Sequence, residues 1–220
     1  MVIILKDYID VFAIYLMVLA LALLTSLSPS IVVSPEISDK SRIALMLIAT
    51  GFPIGYIVRM GYGSPSEFVG LKKSIRALPD ILYWGIAGAI IALVLENIAL
   101  KATGNLFSSI LPLSQVELEQ GMSVALTFII GVSIAEEVFY NYLIFGGVYY
   151  VNRHLIGSHI ISMAVFSISH IFVYGYNAPI LISLSIGRLV FNEIYRRCGY
   201  LSAPMLSHLL INIIALVSAV

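Results

Sequence analysis

Long apolar stretches set the strongest limit on the fold of this chain. A helix that crosses a bilayer needs about 20 mainly apolar residues, and the sequence contains seven stretches close to that length. Inside lipid the backbone can bond only to itself, so such long stretches are expected to be helical. The seven stretches are approximately residues 8–27, 43–60, 79–100, 121–145, 157–175, 178–196 and 202–219.

The composition supports a membrane environment. Hydrophobic residues make up 60% of the 220 residues and charged residues 11%, whereas a soluble domain carries about 25% charged residues. We therefore predict an all-α, polytopic membrane helical bundle of about seven transmembrane helices, with residues 1–220 as a single transmembrane domain. The partly apolar connection 101–120 leaves room for an eighth helix.

The charges between the stretches predict an orientation. With seven helices, eight basic residues fall on one side of the membrane and three on the other, so the positive-inside rule places the N-terminus in the cytoplasm. The formal net charge is zero, which gives no reason to expect a nucleic-acid partner. The first side carries Lys6, Arg59, Lys72, Lys73, Arg76, Arg153, Arg196 and Arg197, and the second carries Lys40, Arg42 and Lys101.

Two adjacent acidic residues, Glu136 and Glu137, interrupt the fourth apolar stretch. A charged side chain at the centre of a bilayer costs about 2.5–3.5 kcal/mol on insertion scales. Successive residues of a helix point about 100° apart, so we expect both carboxylates to face the interior of the bundle. They could form a structural hydrogen-bonding centre, or they could handle protons in catalysis or in transport.

Two further apolar stretches carry a histidine. Phe166 and His170 are four residues apart on one helical face, as are His208 and Asn212 on another helix. Each histidine taken alone is readily explained by packing. Together with the glutamates, these groups can activate water and stabilise an oxyanion, and two histidines with a glutamate can also bind zinc.

The order Glu-Glu, Phe-x-x-x-His, His-x-x-x-Asn resembles the CPBP family, also called the Abi family, of CAAX proteases and bacteriocin-processing enzymes. The matching residues are Glu136, Glu137, Phe166, His170, His208 and Asn212, so the resemblance covers about residues 120–215. The family consists of multi-spanning helical intramembrane endopeptidases and includes the Ras-converting CAAX endopeptidases.

The resemblance implies peptide hydrolysis inside the membrane. Glu136, with His170, would deprotonate a water molecule, and Glu137 would orient the base or share its proton. His208 and Asn212 would donate hydrogen bonds to the oxyanion. We expect no metal or other cofactor, because no single helix carries a His-Glu-x-x-His pattern. The alternative is zinc bound by Glu136, His170 and His208.

The implied partners are the lipid bilayer and a membrane-anchored protein or peptide substrate. A prenylated CAAX peptide is one option, and an exported peptide or a membrane-anchored regulator are others. Two different classes of function also stay open. A proton- or cation-coupled transporter would use the same buried groups, although no inverted repeat is visible. A catalytically inactive family member would act as a scaffold.

One departure from the family pattern concerns the first motif, which usually has an arginine four residues after the second glutamate. This chain has Asn141 there, and an amide supplies a hydrogen bond but no positive charge. Arg188 could compensate, although we expect it to pair with Asn192 or to reach towards the lipid headgroups.

Two expectations concern the depth of buried groups. Glu96, near the end of the third stretch, is expected to extend to the membrane interface. The predicted boundaries also place Glu137 and His170 about 12 Å apart along the membrane normal.

Overall fold

The computed structural model describes residues 74–104, 122–152 and 154–219, and all regular structure in these ranges is helical. Residues 122–152 form one long helix, in which two α-helical parts flank a π-helical segment without a break. The elements are α1 (Ser74–Ala102), α2 (Met122–Glu136), the π-helical segment (Glu137–Gly146), α3 (Gly147–Asn152), α4 (Leu155–Tyr174), α5 (Ala178–Cys198) and α6 (Ser202–Ala219).

The described helices confirm the all-helical class. Three of them are long and apolar enough to cross a membrane, namely Ala77–Ala102, Ile129–Tyr149 and Ala178–Cys198, and α4 and α6 contain shorter apolar stretches. The predicted helices 8–27 and 43–60 lie outside the described residues, as does most of the connection 101–120. The count of seven or eight helices, the single domain and the orientation therefore stay predictions.

Short connections make α4, α5 and α6 consecutive antiparallel neighbours. Asn177 precedes α5 and accepts a hydrogen bond on its side-chain oxygen from the N–H of Ile180 at 3.4 Å. Gly199 ends α5 with φ of 74°, a left-handed conformation that glycine adopts without a Cβ clash. Its N–H donates to the carbonyl of Tyr195 at 2.8 Å.

Small residues let α1 pack closely against α5 and α6. Ala89 and Ala92 are buried there, and Ser207 donates a hydrogen bond from α6 to the carbonyl of Gly85 at 2.7 Å. Helices in membranes commonly associate through such small residues. The other face of α1 exposes large apolar side chains such as Ile90 and Ile98, which are 57% and 60% exposed, and this face suits hydrocarbon.

Gly88 offers a test of this packing. A Cβ at Gly88 would lie 2.0 Å from Ile194 Cδ1 and 2.6 Å from Ser207 Oγ, so we expect Gly88→Ala to lower the free energy of unfolding by about 1–3 kcal/mol. Gly131 is the matched control, since a Cβ there meets no described residue within 4 Å. Equilibrium unfolding in mixed micelles measures both variants. Equal stability of the two alanine variants would contradict the packing described.

Glu96 does not extend to the interface, so that expectation was wrong. The side chain is 4% exposed and points at Gly187 of α5, where a Cβ would lie 1.9 Å from Glu96 Oε1. Ser183 also donates to the backbone carbonyl of Glu96 at 3.4 Å. The missing side chain at position 187 creates the space that the carboxylate fills, and this complementarity between two helices is not visible in the sequence of either one.

Candidate active site

The hairpin formed by the long helix and α4 brings Glu136 and His170 to the same level. The two residues lie almost equally far along the chain from the turn between Asn152 and Leu155. His170 Nε2 is 3.7 Å from Glu136 Oε1. Glu137 follows Glu136 by one residue, which is a rise of about 1.5 Å along a helix. The separation of about 12 Å predicted between Glu137 and His170 was therefore wrong, because the predicted helix ends put the turn too close to the glutamates.

The π-helical segment begins at Glu137, within the site. Segments of this kind are rare and frequently occur at functional sites. Ser162 Oγ of α4 lies 3.2 Å from both the carbonyl oxygen of Tyr140 and Asn192 Oδ1, which links this segment to α4 and α5. No feature of the sequence pattern predicted the change of helix type.

Glu137 is completely buried and has three polar partners. Its Oε2 accepts hydrogen bonds from Asn141 Nδ2 and from Arg188 Nη2, each at 2.5 Å. Its Oε1 lies 2.8 Å from His208 Nδ1. A carboxylate can only accept, so Nδ1 of His208 carries the hydrogen. Glu137 thus connects the long helix to α5 and α6 and fixes the orientation of His208.

Glu136 has a different environment from its neighbour. It is 5% exposed, and its two oxygens face two imidazoles: Oε1 is 3.7 Å from His170 Nε2 and Oε2 is 3.7 Å from His208 Nε2. These distances are too long for direct hydrogen bonds, and a water molecule placed beside the three groups would link the carboxylate to an imidazole. The three groups therefore converge on a position that suits a water molecule.

The hydrogen bonds of His170 select one tautomer. Its Nδ1 lies 2.8 Å from the carbonyl oxygen of Phe166, which can only accept, so Nδ1 carries the hydrogen and Nε2 of the neutral ring presents a lone pair to Glu136. Ser169 Oγ is 3.2 Å from the same Nδ1 and is hydrogen-bonded to Tyr140 OH at 2.5 Å. The Phe166 ring lies 4.2 Å from the imidazole, centroid to centroid.

Asn212 lies one helical turn beyond His208, as the spacing predicted, and is partly buried. Its Nδ2 donates to Ser133 Oγ at 3.1 Å, and Ser133 lies one turn before Glu136. The amide has a second N–H for another acceptor. Asn212 therefore belongs to the α2–α6 contact beside the glutamates.

Arg188 neither pairs with Asn192 nor reaches towards lipid, so that expectation was wrong. The side chain is completely buried and forms an ion pair with Glu137, because α5 packs against the π-helical segment and turns this face inward. The alternative prediction, that Arg188 compensates for the absent motif arginine, matches the observed contact. The sequence feature that pointed to this ion pair was the position of Arg188, a single basic residue in the middle of an apolar stretch.

The predicted zinc ligands do not form a metal site in the observed arrangement. Within residues 74–104, 122–152 and 154–219, no group of three or more His, Cys, Asp or Glu side chains is placed to hold a metal ion. The expectation that the site works without a metal stays a prediction for experiment.

Comparison with known proteins supports the resemblance found in the motifs. Residues 119–214 match the family model described as type II CAAX prenyl endopeptidase Rce1-like, which confirms the suspected family for this part of the chain. The matched range contains all the predicted site residues. No curated protein and no solved structure matches the chain. The matched part of the chain is thus similar to a family of proteases, and the apolar helices are typical of an integral membrane protein.

Proposed function

We propose that this chain, which carries the pattern of the type II CAAX prenyl endopeptidases at residues 119–214, is an intramembrane endopeptidase. It hydrolyses a peptide bond of a membrane-associated substrate with a water molecule that Glu136 activates. The observation that carries this proposal is the placement of Glu136 between the Nε2 atoms of His170 and His208, each at 3.7 Å.

In the first step a water molecule that lies beside Glu136 and His170 attacks the scissile carbonyl. Glu136 takes one proton of this water, and the lone pair on His170 Nε2 accepts a hydrogen bond from the other O–H and so orients the attacking oxygen. Such a positioned base accelerates a reaction by about a hundred-fold to ten-thousand-fold. The oxygen of the water forms the new C–O bond, and the carbonyl oxygen becomes an oxyanion.

His208 and Asn212 stabilise this oxyanion. His208 donates from Nε2 when its ring is protonated, and ionised Glu137 on its Nδ1 stabilises that positive charge, as an aspartate does beside the histidine of a catalytic triad. The second N–H of the Asn212 amide is the other donor, a contribution that is typically about 2.7–4 kcal/mol for such a group. When the C–N bond breaks, Glu136 returns its proton to the leaving amine.

The proposed substrate class is a prenylated peptide of CAAX type. The assay uses purified protein reconstituted in liposomes and two forms of one peptide, one farnesylated on its cysteine and one without the lipid. We expect cleavage of the farnesylated form and little cleavage of the other. Equal cleavage of both would remove the prenyl specificity, and cleavage of neither would remove the proposed substrate class.

Metal dependence is tested on the same preparation. We expect cleavage to persist after treatment with 1,10-phenanthroline and elemental analysis to find far less than one zinc per chain, because the proposed base is a carboxylate and needs no metal-bound hydroxide. One zinc per chain, with activity lost on chelation and restored by added zinc, would instead assign Glu136, His170 and His208 as ligands.

A further inference from the structure

Arg188 is the buried cation of the candidate site. It lies on α5, outside the sequence motifs, and its side chain has no exposed surface. Its Nη2 and the Nδ2 of Asn141 donate to the same atom, Glu137 Oε2, each at 2.5 Å. An amide at position 141 and a guanidinium at position 188 therefore converge on one carboxylate oxygen.

Three aromatic rings surround the guanidinium. Its central carbon lies 5.9 Å from the ring centroid of Tyr140, 5.2 Å from that of Phe166 and 5.2 Å from that of Phe191. A planar, weakly hydrated guanidinium tolerates such a setting better than an ammonium does. Within the described part of the chain, Nε and Nη1 of Arg188 have no hydrogen-bond partner, so the rings and Glu137 form its environment.

Two of these three rings contact the two imidazoles. Phe191 stacks on His208 with centroids 5.3 Å apart, and Phe166 lies 4.2 Å from His170. Through Glu137 and these rings, the position of Arg188 is coupled to both histidines. It is therefore placed to act through other residues and not on the substrate.

We propose that Arg188 is a positioning residue that supplies from α5 the positive charge an arginine at position 141 would supply from the long helix itself. The guanidinium keeps Glu137 ionised in the apolar interior, and ionised Glu137 holds His208 in the orientation and protonation that the oxyanion requires. This inference rests on the proposed function, because it assigns a role within that reaction.

The charges of the site explain why one cation is needed. Glu136 and Glu137 would carry two negative charges, which Arg188 and a protonated His208 balance. An apolar interior strongly disfavours uncompensated charge. Without Arg188, neutrality would require an additional proton on the site. A protonated Glu137 would no longer stabilise a charged His208.

The test compares Arg188→Ala with the double variant Asn141→Arg/Arg188→Ala in the liposome assay. Truncation at position 188 empties the space between the three rings, and a guanidinium from position 141 can enter it because Asn141 already contacts the same oxygen. We expect Arg188→Ala to lower kcat by about 100-fold with KM nearly unchanged, as for other losses of positioning. The double variant is expected to have a kcat at least about tenfold higher than that of Arg188→Ala.

Arg197→Ala is the matched control. Arg197 lies on the same helix and pairs with Glu193 at 2.5 Å, but its side chain is 53% exposed, so wild-type kcat is expected. Thermal stability of each purified variant is recorded beside its kinetics. If Arg188→Ala fails to fold, the double variant decides: recovery of both folding and cleavage supports the proposal, and recovery of folding alone reduces Arg188 to a structural role.

Two other results would overturn the inference. One is a folded Arg188→Ala variant with wild-type kcat, and the other is a double variant that recovers neither folding nor cleavage. Both are distinguishable from failure of the proposed function, because in that case the wild-type protein itself would cleave no peptide.

Discussion

Replacement of Glu136 by glutamine is expected to lower kcat by about a hundred-fold to ten-thousand-fold while the protein stays folded. Glutamine keeps the size of the side chain but cannot take a proton from water. The oxygens of Glu136 face His170 Nε2 and His208 Nε2 at 3.7 Å, which is too far for a direct hydrogen bond to either ring. We therefore expect the free energy of unfolding of the Glu136→Gln variant to differ from that of the wild-type protein by less than about 1 kcal/mol.

Glu193→Gln is the control for this result. Glu193 lies at the far end of α5, where it accepts hydrogen bonds from Arg196 and Arg197, and its replacement should leave kcat unchanged. Cleavage at the wild-type rate by Glu136→Gln would remove Glu136 as the base. Liposome flux that depends on Glu136, without any peptide cleavage, would favour the transporter alternative.

The same substitution one residue later is expected to have a different effect. Glu137→Gln leaves the completely buried Arg188 without its counter-ion, and breaking a buried ion pair by removing one partner typically costs about 3–5 kcal/mol. We expect a loss of stability of this size in mixed-micelle unfolding. Cleavage should fall as well, because a neutral amide at position 137 no longer stabilises a charged His208.

The double variant Glu137→Gln/Arg188→Met separates these two effects. It removes the uncompensated cation, and replacing a buried pair by uncharged side chains of similar volume is often close to neutral for stability. Stability should therefore return while cleavage stays low. Equal stability of Glu136→Gln and Glu137→Gln would contradict the division of roles between the two glutamates.

This division also bears on the inactive-scaffold alternative. The absence of an arginine at position 141 favours a dead enzyme only if no other cation meets Glu137. The ion pair with Arg188 supplies that cation from another helix, so Asn141 no longer argues against catalysis. The kinetic variants of Glu136 decide the matter directly.

Within the described ranges, the sequence by itself determined which segments are helical and which residues do not belong in lipid. Both are local properties: hydropathy over about 20 residues predicts a membrane helix, and a glutamate or histidine within one is costly wherever it points. The five predicted stretches from residue 79 onward all fall on helices. Glu136, Glu137, His170 and His208 were chosen on this ground, and the structure brings them together.

Only the tertiary structure decided how these groups pair. The sequence left two interpretations of Arg188 open and favoured the wrong one, and only the structure shows the ion pair with Glu137. The burial of Glu96 against Gly187 and the depth of the glutamates relative to His170 were predicted wrongly. Each depends on the rotation of a helix and on the position of its turn, and these are set by small residues and close packing between helices distant in sequence. The cost of burying a charge shows that a partner must exist, but the packing of the helices determines which residue that partner is.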